Sequence, residues 1–173
     1  VLLATRLGKA IRFDVNDVRV FVGRGSSGVR GIKLKPNDYV VSMSLIPEQE
    51  RRYILSVTEN GFGKRTPIED YRMTNRGGQG VANIECSTRN GPVVASYVAS
   101  EDDQIMLVTN SGKLIRIRVH GGEGDSIRIA GRKTQGVRLF DVDEEEKVVS
   151  VALLTDSDED ENTNEDENEV ATD

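Results

Sequence analysis

The chain has 173 residues, about one domain's worth, with 23 Lys and Arg against 29 Asp and Glu, one His, one Cys and no Trp. A single cysteine, Cys86, excludes a disulfide framework and a cysteine-based zinc site; with no Asn-x-Ser/Thr acceptor either, the expected setting is a reducing, cytoplasmic one. No apolar run approaches the ~20 residues that cross a bilayer, so no membrane partner is expected, and a start on Val1-Leu2-Leu3, without Met or a signal-like basic segment, reads as the interior of a longer protein.

Leu2 to Thr5 and Lys9 to Phe13 are short β-type segments joined across Thr5-x-x-Gly8. A polar, glycine-containing stretch then leads to Gly28-Val29, after which Gly31 to Leu34 and Val40 to Leu45 read as further strands bounded by Gly, Asn, Asp and Pro. The same landmarks return in the same order. Thr-x-x-Gly recurs at Thr58/Gly61 and Thr109/Gly112, Gly-Val at Gly80-Val81 and Gly136-Val137, and the Val40-Val41 pair at Val93-Val94 and Val148-Val149. They define three repeats, 1–46, 53–99 and 105–154, in one domain, 1–154. Glu59-Asn60-Gly61 and Asn110-Ser111-Gly112 carry the residues that tight hairpins need for positive φ. No long helical period precedes the tail. The expected class is all-β, with about four strands per repeat. A unit of ~50 residues cannot cover both faces of its own sheet, so propeller-like blades packed side by side are the natural architecture.

Charge divides the chain in two. Residues 155–173 hold ten acidic and no basic residues, which leaves 23 basic against 19 acidic in residues 1–154, and 22 against 14 up to Phe140. The tail has the composition of a disordered segment. A basic body is suited to a polyanion, and a tethered acidic tail to competing with it. Basic residues recur at corresponding places. Lys9 and Arg12, Lys64 and Arg65, and Lys113 and Arg116 follow each Thr-x-x-Gly. Arg24, Arg76, and Arg132 with Lys133 precede each Gly-Val, while Arg30 and Lys33 follow it in the first repeat and Arg138 in the third. Blade symmetry would set these at one height, making a positive band suited to the continuous charge of a phosphate backbone. Wrapping without base reading is the expected mode.

Three strings carry a family resemblance: Val57-Thr58-Glu59-Asn60-Gly61-Phe62-Gly63-Lys64-Arg65-Thr66-Pro67, Gly131-Arg132-Lys133-Thr134-Gln135-Gly136-Val137-Arg138, and Gly28-Val29-Arg30-Gly31-Ile32-Lys33-Leu34. They resemble the C-terminal domain of the A subunit of bacterial DNA gyrase. The resemblance implies a six-bladed β-pinwheel, of which this chain would be the last three blades. It also implies double-stranded DNA as the partner, wrapped on the outer rim in support of ATP-dependent negative supercoiling. The gyrase B subunit would join the parent in an A2B2 type II topoisomerase that uses ATP and Mg elsewhere, with no cofactor or metal in this part. The related domain of the topoisomerase IV A subunit is the nearest alternative, and a propeller-like protein-interaction platform is another. The family's Gln-Arg-Arg-Gly-Gly-Lys-Gly box has only a degenerate echo here, Thr74-Asn75-Arg76-Gly77-Gly78-Gln79-Gly80, so the true box is expected upstream of Val1.

No catalytic residue is expected. Tyr39, Tyr53, Tyr71 and Tyr97 do not match the family's catalytic context, and Gly131-Arg132-Lys133-Thr134 lacks the Gly-Lys-Ser/Thr of a phosphate-binding loop. Asp156, Asp158, Asp160 and Glu167 have EF-hand-like spacing, but Glu161 stands where that loop needs Gly. His120 has no second His or Cys at metal-ligand spacing and reads as a loop residue; Cys86 reads as a small buried hydrophobe.

Overall fold

The computed structural model describes residues 1–47, 52–122 and 126–155; the acidic tail, apart from Thr155, lies outside the described residues. Three antiparallel sheets form from eleven strands, and the only helical segments among the described residues are the 3-10 turns Val15–Asp17 and Ile68–Asp70. Hairpins β1 (Leu2–Thr5)/β2 (Lys9–Arg12), β4 (Tyr53–Thr58)/β5 (Phe62–Pro67) and β8 (Gln104–Thr109)/β9 (Leu114–Arg118) begin the three sheets. Strands β3 (Val40–Ser44), β7 (Val93–Ala99) and β11 (Val148–Leu154) pair with β1, β4 and β8 on their other side.

The repeated landmarks have physical reasons. In each Thr-x-x-Gly the Gly N–H donates to the Thr carbonyl, at 3.1 Å for Gly8 and Gly61 and 3.0 Å for Gly112, and φ lies between 75° and 84°. That left-handed turn is cheap only for glycine. The same threonines pair with the first valine of each Val-Val, as Thr5 with Val40, Thr58 with Val93 and Thr109 with Val148, beside a register shift in each sheet. A bulge there bends the strand and increases its twist.

The Gly-Val landmark does not serve its own sheet, which changes the expected blade. β6 (Val81–Ala82) pairs with β2, and β10 (Val137–Arg138) with β5, so the first and second sheets, ordered β3-β1-β2-β6 and β10-β5-β4-β7, each take a strand from the next repeat. The third sheet, β11-β8-β9, has three strands among the described residues. Gly31 to Leu34 is not a strand. The Gly31 carbonyl accepts from Gly77 N–H at 2.6 Å and Lys33 N–H donates to Gly78 O at 2.8 Å, which ties this segment to the glycine loop of the second repeat.

Alternation along the strands places apolar side chains between sheets. Leu2, Ala4 and Ala10 meet Ile54, Val98, Ile68 and Tyr71 between the first two sheets. Leu55, Val57, Ala95 and Ala99 meet Ile105, Leu107, Val148 and Val151 between the second and third. The final strands of the repeats are neighbours, β3 beside β7 and β7 beside β11, so the exchanged strands lie at the opposite, outer edge. Within the first interface the Tyr71 hydroxyl donates to Asn83 Oδ1 at 2.6 Å, and Asn83 Nδ2 donates to Ser96 Oγ at 2.9 Å. Burial pushes the tyrosine's pKa up; the amide satisfies polar groups that would otherwise be costly there.

Gly136, at φ 78°, precedes β10 with its Cβ position 2.7 Å from the Gly63 carbonyl oxygen, whereas Gly112, at φ 84°, faces open space. Gly112→Ala is therefore expected to cost only the left-handed backbone, about 1–2 kcal/mol. Gly136→Ala is expected to cost at least twice as much by urea unfolding, because β10 must also leave β5. Equal losses would show that the exchanged strand contributes little to stability.

Candidate nucleic-acid interface

Counting from the turn glycines aligns Lys9 with Phe62 and Lys113, Ile11 with Lys64 and Ile115, and Arg12 with Arg65 and Arg116. Lys64 thus occupies an inward position, out of phase with Lys9 and Lys113. It is fully buried, with Nζ donating to the carbonyls of Gly131 and Arg132, the latter at 3.0 Å. Burial, followed by the charge of Arg132, pushes its pKa down to about 8; the two carbonyl acceptors offset part of the cost of an enclosed ammonium.

Several predicted site arginines brace one repeat against the next. Arg12 donates to the carbonyls of Ile68 and Tyr71, both at 3.3 Å, and buried Arg65 donates to that of Ile127 at 2.6 Å. In the opposite direction Arg76 donates to the Asp17 carbonyl at 2.8 Å and to that of Arg30 at 3.2 Å; Arg132 donates to that of Ala82 at 3.1 Å. Arg30 and Ala82 both stand two residues after the glycine of Gly-Val, so the second and third repeats grip their predecessors alike. A forked guanidinium suits clusters of backbone carbonyls better than an ammonium does.

Two other candidates are engaged locally. Lys113 pairs with Glu146 at 2.7 Å and Asp143 at 3.3 Å; Glu146 also accepts from Thr109 at 2.7 Å and from Ser111. The lysine, then the two hydroxyls, hold the Glu146 carboxyl at about 2. Arg138 is exposed, ion-paired with Asp141 and placed over the Phe62 ring. Arg116 is exposed on β9.

Arg24, Arg30, Lys33 and Lys133 are exposed in loops outside the named strands, and Lys9 is half-buried. Lys9, Lys33 and Lys35 converge on a cleft of about 350 Å³ also lined by Thr5, Gln79 and Asp38. The Asp38 carboxylate already accepts the N–H groups of Leu7 and Tyr39, both at 2.9 Å. Three lysines and one partly engaged carboxylate in its lining give the cleft a net positive charge, which attracts a phosphate. The band thins along the chain, since Glu85 and Asp141 stand where the first repeat has Lys33. Exposed Lys35, Arg72 and Arg128 join the outer surface without having stood out in the sequence. Arg72 and Arg128 both lie eight residues before the glycine of Gly-Val, a spacing that would have revealed them.

His120 is exposed in its loop, with Nδ1 2.7 Å from Ser126 Oγ, and Cys86 is half-buried rather than enclosed. No His/Cys/Asp/Glu cluster suited to a metal occurs among the described residues.

Residues 1–47, 52–91 and 103–155 match the family described as DNA gyrase C-terminal domain, beta-propeller. The chain belongs to that family. Against the DNA gyrase A subunit of Rickettsia prowazekii it is 38% identical over 203 residues, covering 91% of this chain and 22% of the relative. Against that of Klebsiella oxytoca it is 45% identical over 151 residues, covering 87% and 16%. The chain thus spans less than a quarter of the curated relatives it matches. Among solved structures, the C-terminal domain of DNA topoisomerase IV shares 31% identity at a TM-score of 0.78, over 88% of this chain and 45% of that one. A DNA gyrase A C-terminal domain shares 30% at 0.73, over 89% and 50%. The gyrase C-terminal fold accounts for the serial sheets; the division of cations between bracing and open positions is read from this chain's own geometry.

Lys64 generates a pH prediction. Below about pH 8 it is charged whether the chain is folded or not; between about 8 and its ordinary 10.5 the folded chain releases the proton first. Its contribution to stability therefore rises with pH across that window. The difference in urea stability between wild type and Lys64→Met is expected to move in favour of wild type from pH 7.5 to 9.5. A flat difference would mean that the ammonium is not penalised in its site.

Proposed function

We propose that the outer surface of this domain binds the phosphate backbone of double-stranded DNA and bends the duplex along it. Within a whole cytoplasmic type II topoisomerase, assembled with the gyrase B subunit as A2B2, this binding would support ATP-dependent negative supercoiling. The observation that carries the reading is the lining of one outer cleft by Lys9, Lys33 and Lys35. Arg30 and Lys133 lie open in the neighbouring outer loops. Cations on a braced scaffold suit a continuous polyanion because little loop order has to be gained on binding. The family and the gyrase A relatives agree with this reading. The likeness to a topoisomerase IV C-terminal domain supports a second reading of the whole enzyme, relaxation and decatenation, with the same DNA contact.

The test is binding to unrelated duplexes across about 50–200 mM salt, where each neutralised phosphate contributes about −0.9 to the log–log slope. A steep slope with little sequence preference is expected, and joint replacement of Arg30, Lys33, Lys35 and Lys133 by Ala should flatten it by up to about 3.6 units. Removing residues 155–173 should tighten binding most at low salt, where screening is weakest. A folded chain that binds no duplex at low salt would overturn the reading and favour a protein-interaction platform.

A further inference from the structure

The second repeat, packed between the other two, lacks the lysine cleft of the first. Phe62 stands in the place of Lys9, and counting from Gly80 and Gly28 sets Glu85 against Lys33 and Ser87 against Lys35. In their stead two arginines from different repeats meet one ring. Arg89 has its Cζ 5.0 Å from the centre of the Phe62 ring, and Arg138 has its Cζ 5.5 Å from it. The ring is buried and both arginines are exposed.

Fixed backbone delivers each of them. Arg138 stands opposite Phe62 in the pairing of β10 with β5, and the next N–H, of Leu139, donates to the Gly61 carbonyl at 2.8 Å. Arg89 lies in a loop, residues 85–91, that is tied on several sides. Asn60 Nδ2 donates to the Thr88 and Arg89 carbonyls at 3.2 and 3.0 Å, and Arg89 N–H donates to Ser87 Oγ at 3.2 Å. Asn90 Nδ2 donates to the Glu85 and Gln135 carbonyls at 2.8 and 3.1 Å. The loop is continuous with the lysine cleft: Asn83 N–H, just ahead of it, donates at 2.8 Å to the carbonyl of Gly8, the neighbour of Lys9. It is also the counterpart of the segment from Lys33 to Asp38 that lines that cleft. Repetition does not reveal Arg89, because Asn37 and Glu145 stand at its place in the other repeats.

A guanidinium held over an aromatic face keeps its in-plane N–H groups available to a phosphate, and the ring restrains a side chain that would otherwise lose more freedom on binding. Arg89 makes no ion pair and no side-chain hydrogen bond among the described residues. Arg138 pairs with Asp141 at 2.5 Å, but both are exposed, and a surface pair of this kind is weak enough for a phosphate to replace the carboxylate. We infer that Arg89 and Arg138, held on Phe62, form a second phosphate site that takes the backbone of the same duplex as the lysine cleft. The inference rests on the DNA reading above and names where that contact continues. Phe62 is a positioning residue in it, acting through the two arginines.

The test is the salt dependence of duplex binding by the full chain. Arg89→Ala and Arg138→Ala are each expected to flatten the log–log slope by up to about 0.9, alike for unrelated duplexes. Asp141→Asn should tighten binding, and should do nothing once Arg138 is Ala. Phe62→Leu, which keeps every charge, is expected to weaken binding about twofold or more at about 50 mM salt, an effect that disappears when both arginines are already Ala. Phe62→Tyr, which keeps the ring, should bind as wild type does. Circular dichroism and melting temperature show which variants fold; Phe62→Met replaces a Phe62→Leu that does not, and the exposed arginine positions carry the test without either. If wild type binds and its slope falls on replacing Lys33 and Lys35 but not on replacing Arg89 and Arg138, this inference is overturned and the DNA reading stands. A folded wild type that binds no duplex overturns both, and a Phe62→Leu loss that persists without the arginines overturns the ring's role.

Discussion

Two residues from each following repeat close the sheet of the one before, and most of the domain's other features depend on that exchange. β6 and β10 contribute only two residues each, too short to hold a position by ladder bonds alone, whose net worth is about 1 kcal/mol apiece. Their placement rests on the loops around them. Gly80 and Gly136 bring backbone against backbone, the Arg76 and Arg132 guanidinium groups grip carbonyls of the preceding repeat, and Arg12 and Arg65 reach back to the following one. No repeat is complete without its neighbour, which makes stability a property of the series rather than of the single unit.

The same constraint sorts the basic residues. Where a cation lies between repeats it serves the scaffold: Lys64 is held by two carbonyl oxygens, and Arg65 by the Ile127 carbonyl, the Glu101 carboxylate and the Tyr53 ring. Where the loops face away from the sheets, the cations stay open, as with Arg24, Arg30, Lys33 and Lys133. Burial makes the distinction functional, because a phosphate cannot reach an enclosed guanidinium without dismantling the interface around it. In the proposed DNA contact the scaffold also has a part. By fixing the loop at Gly77 and Gly78 against Gly31 and Lys33, it holds one wall of the cleft where three lysines meet. Tying an open loop to a braced one is a direct way to present flexible lysines in a defined field.

The parts legible in the sequence were those that depend on local backbone chemistry. Thr-x-x-Gly is visible because one turn requires both residues, and Val-Val because its first valine pairs with that threonine. The exchange was not legible. A two-residue strand has no periodicity to detect, and Gly80-Val81 looks the same whether it pairs within its own repeat or with the one before. Gly31 to Leu34 has strand-like composition, yet its backbone groups are committed to a loop of the next repeat. The phase of Lys64 was obscured because Phe62 stands in the place of Lys9 and Lys113, so the neighbouring Lys64-Arg65 pair resembled the others while one member pointed inward. Loop arginines invite a phosphate reading from charge alone; only the positions of the Arg30 and Ala82 carbonyls distinguish Arg76 and Arg132 from their open neighbours.

In the proposed complex DNA meets the outer loops while the shared strand interfaces remain closed. Amide hydrogen exchange with and without a short duplex at low salt tests it most directly. Added protection is expected in residues 24–35 and 128–135, with little change in β3, β7 and β11. Protection concentrated on those inner strands, or loss of protection at β6 and β10 when DNA is added, would contradict it.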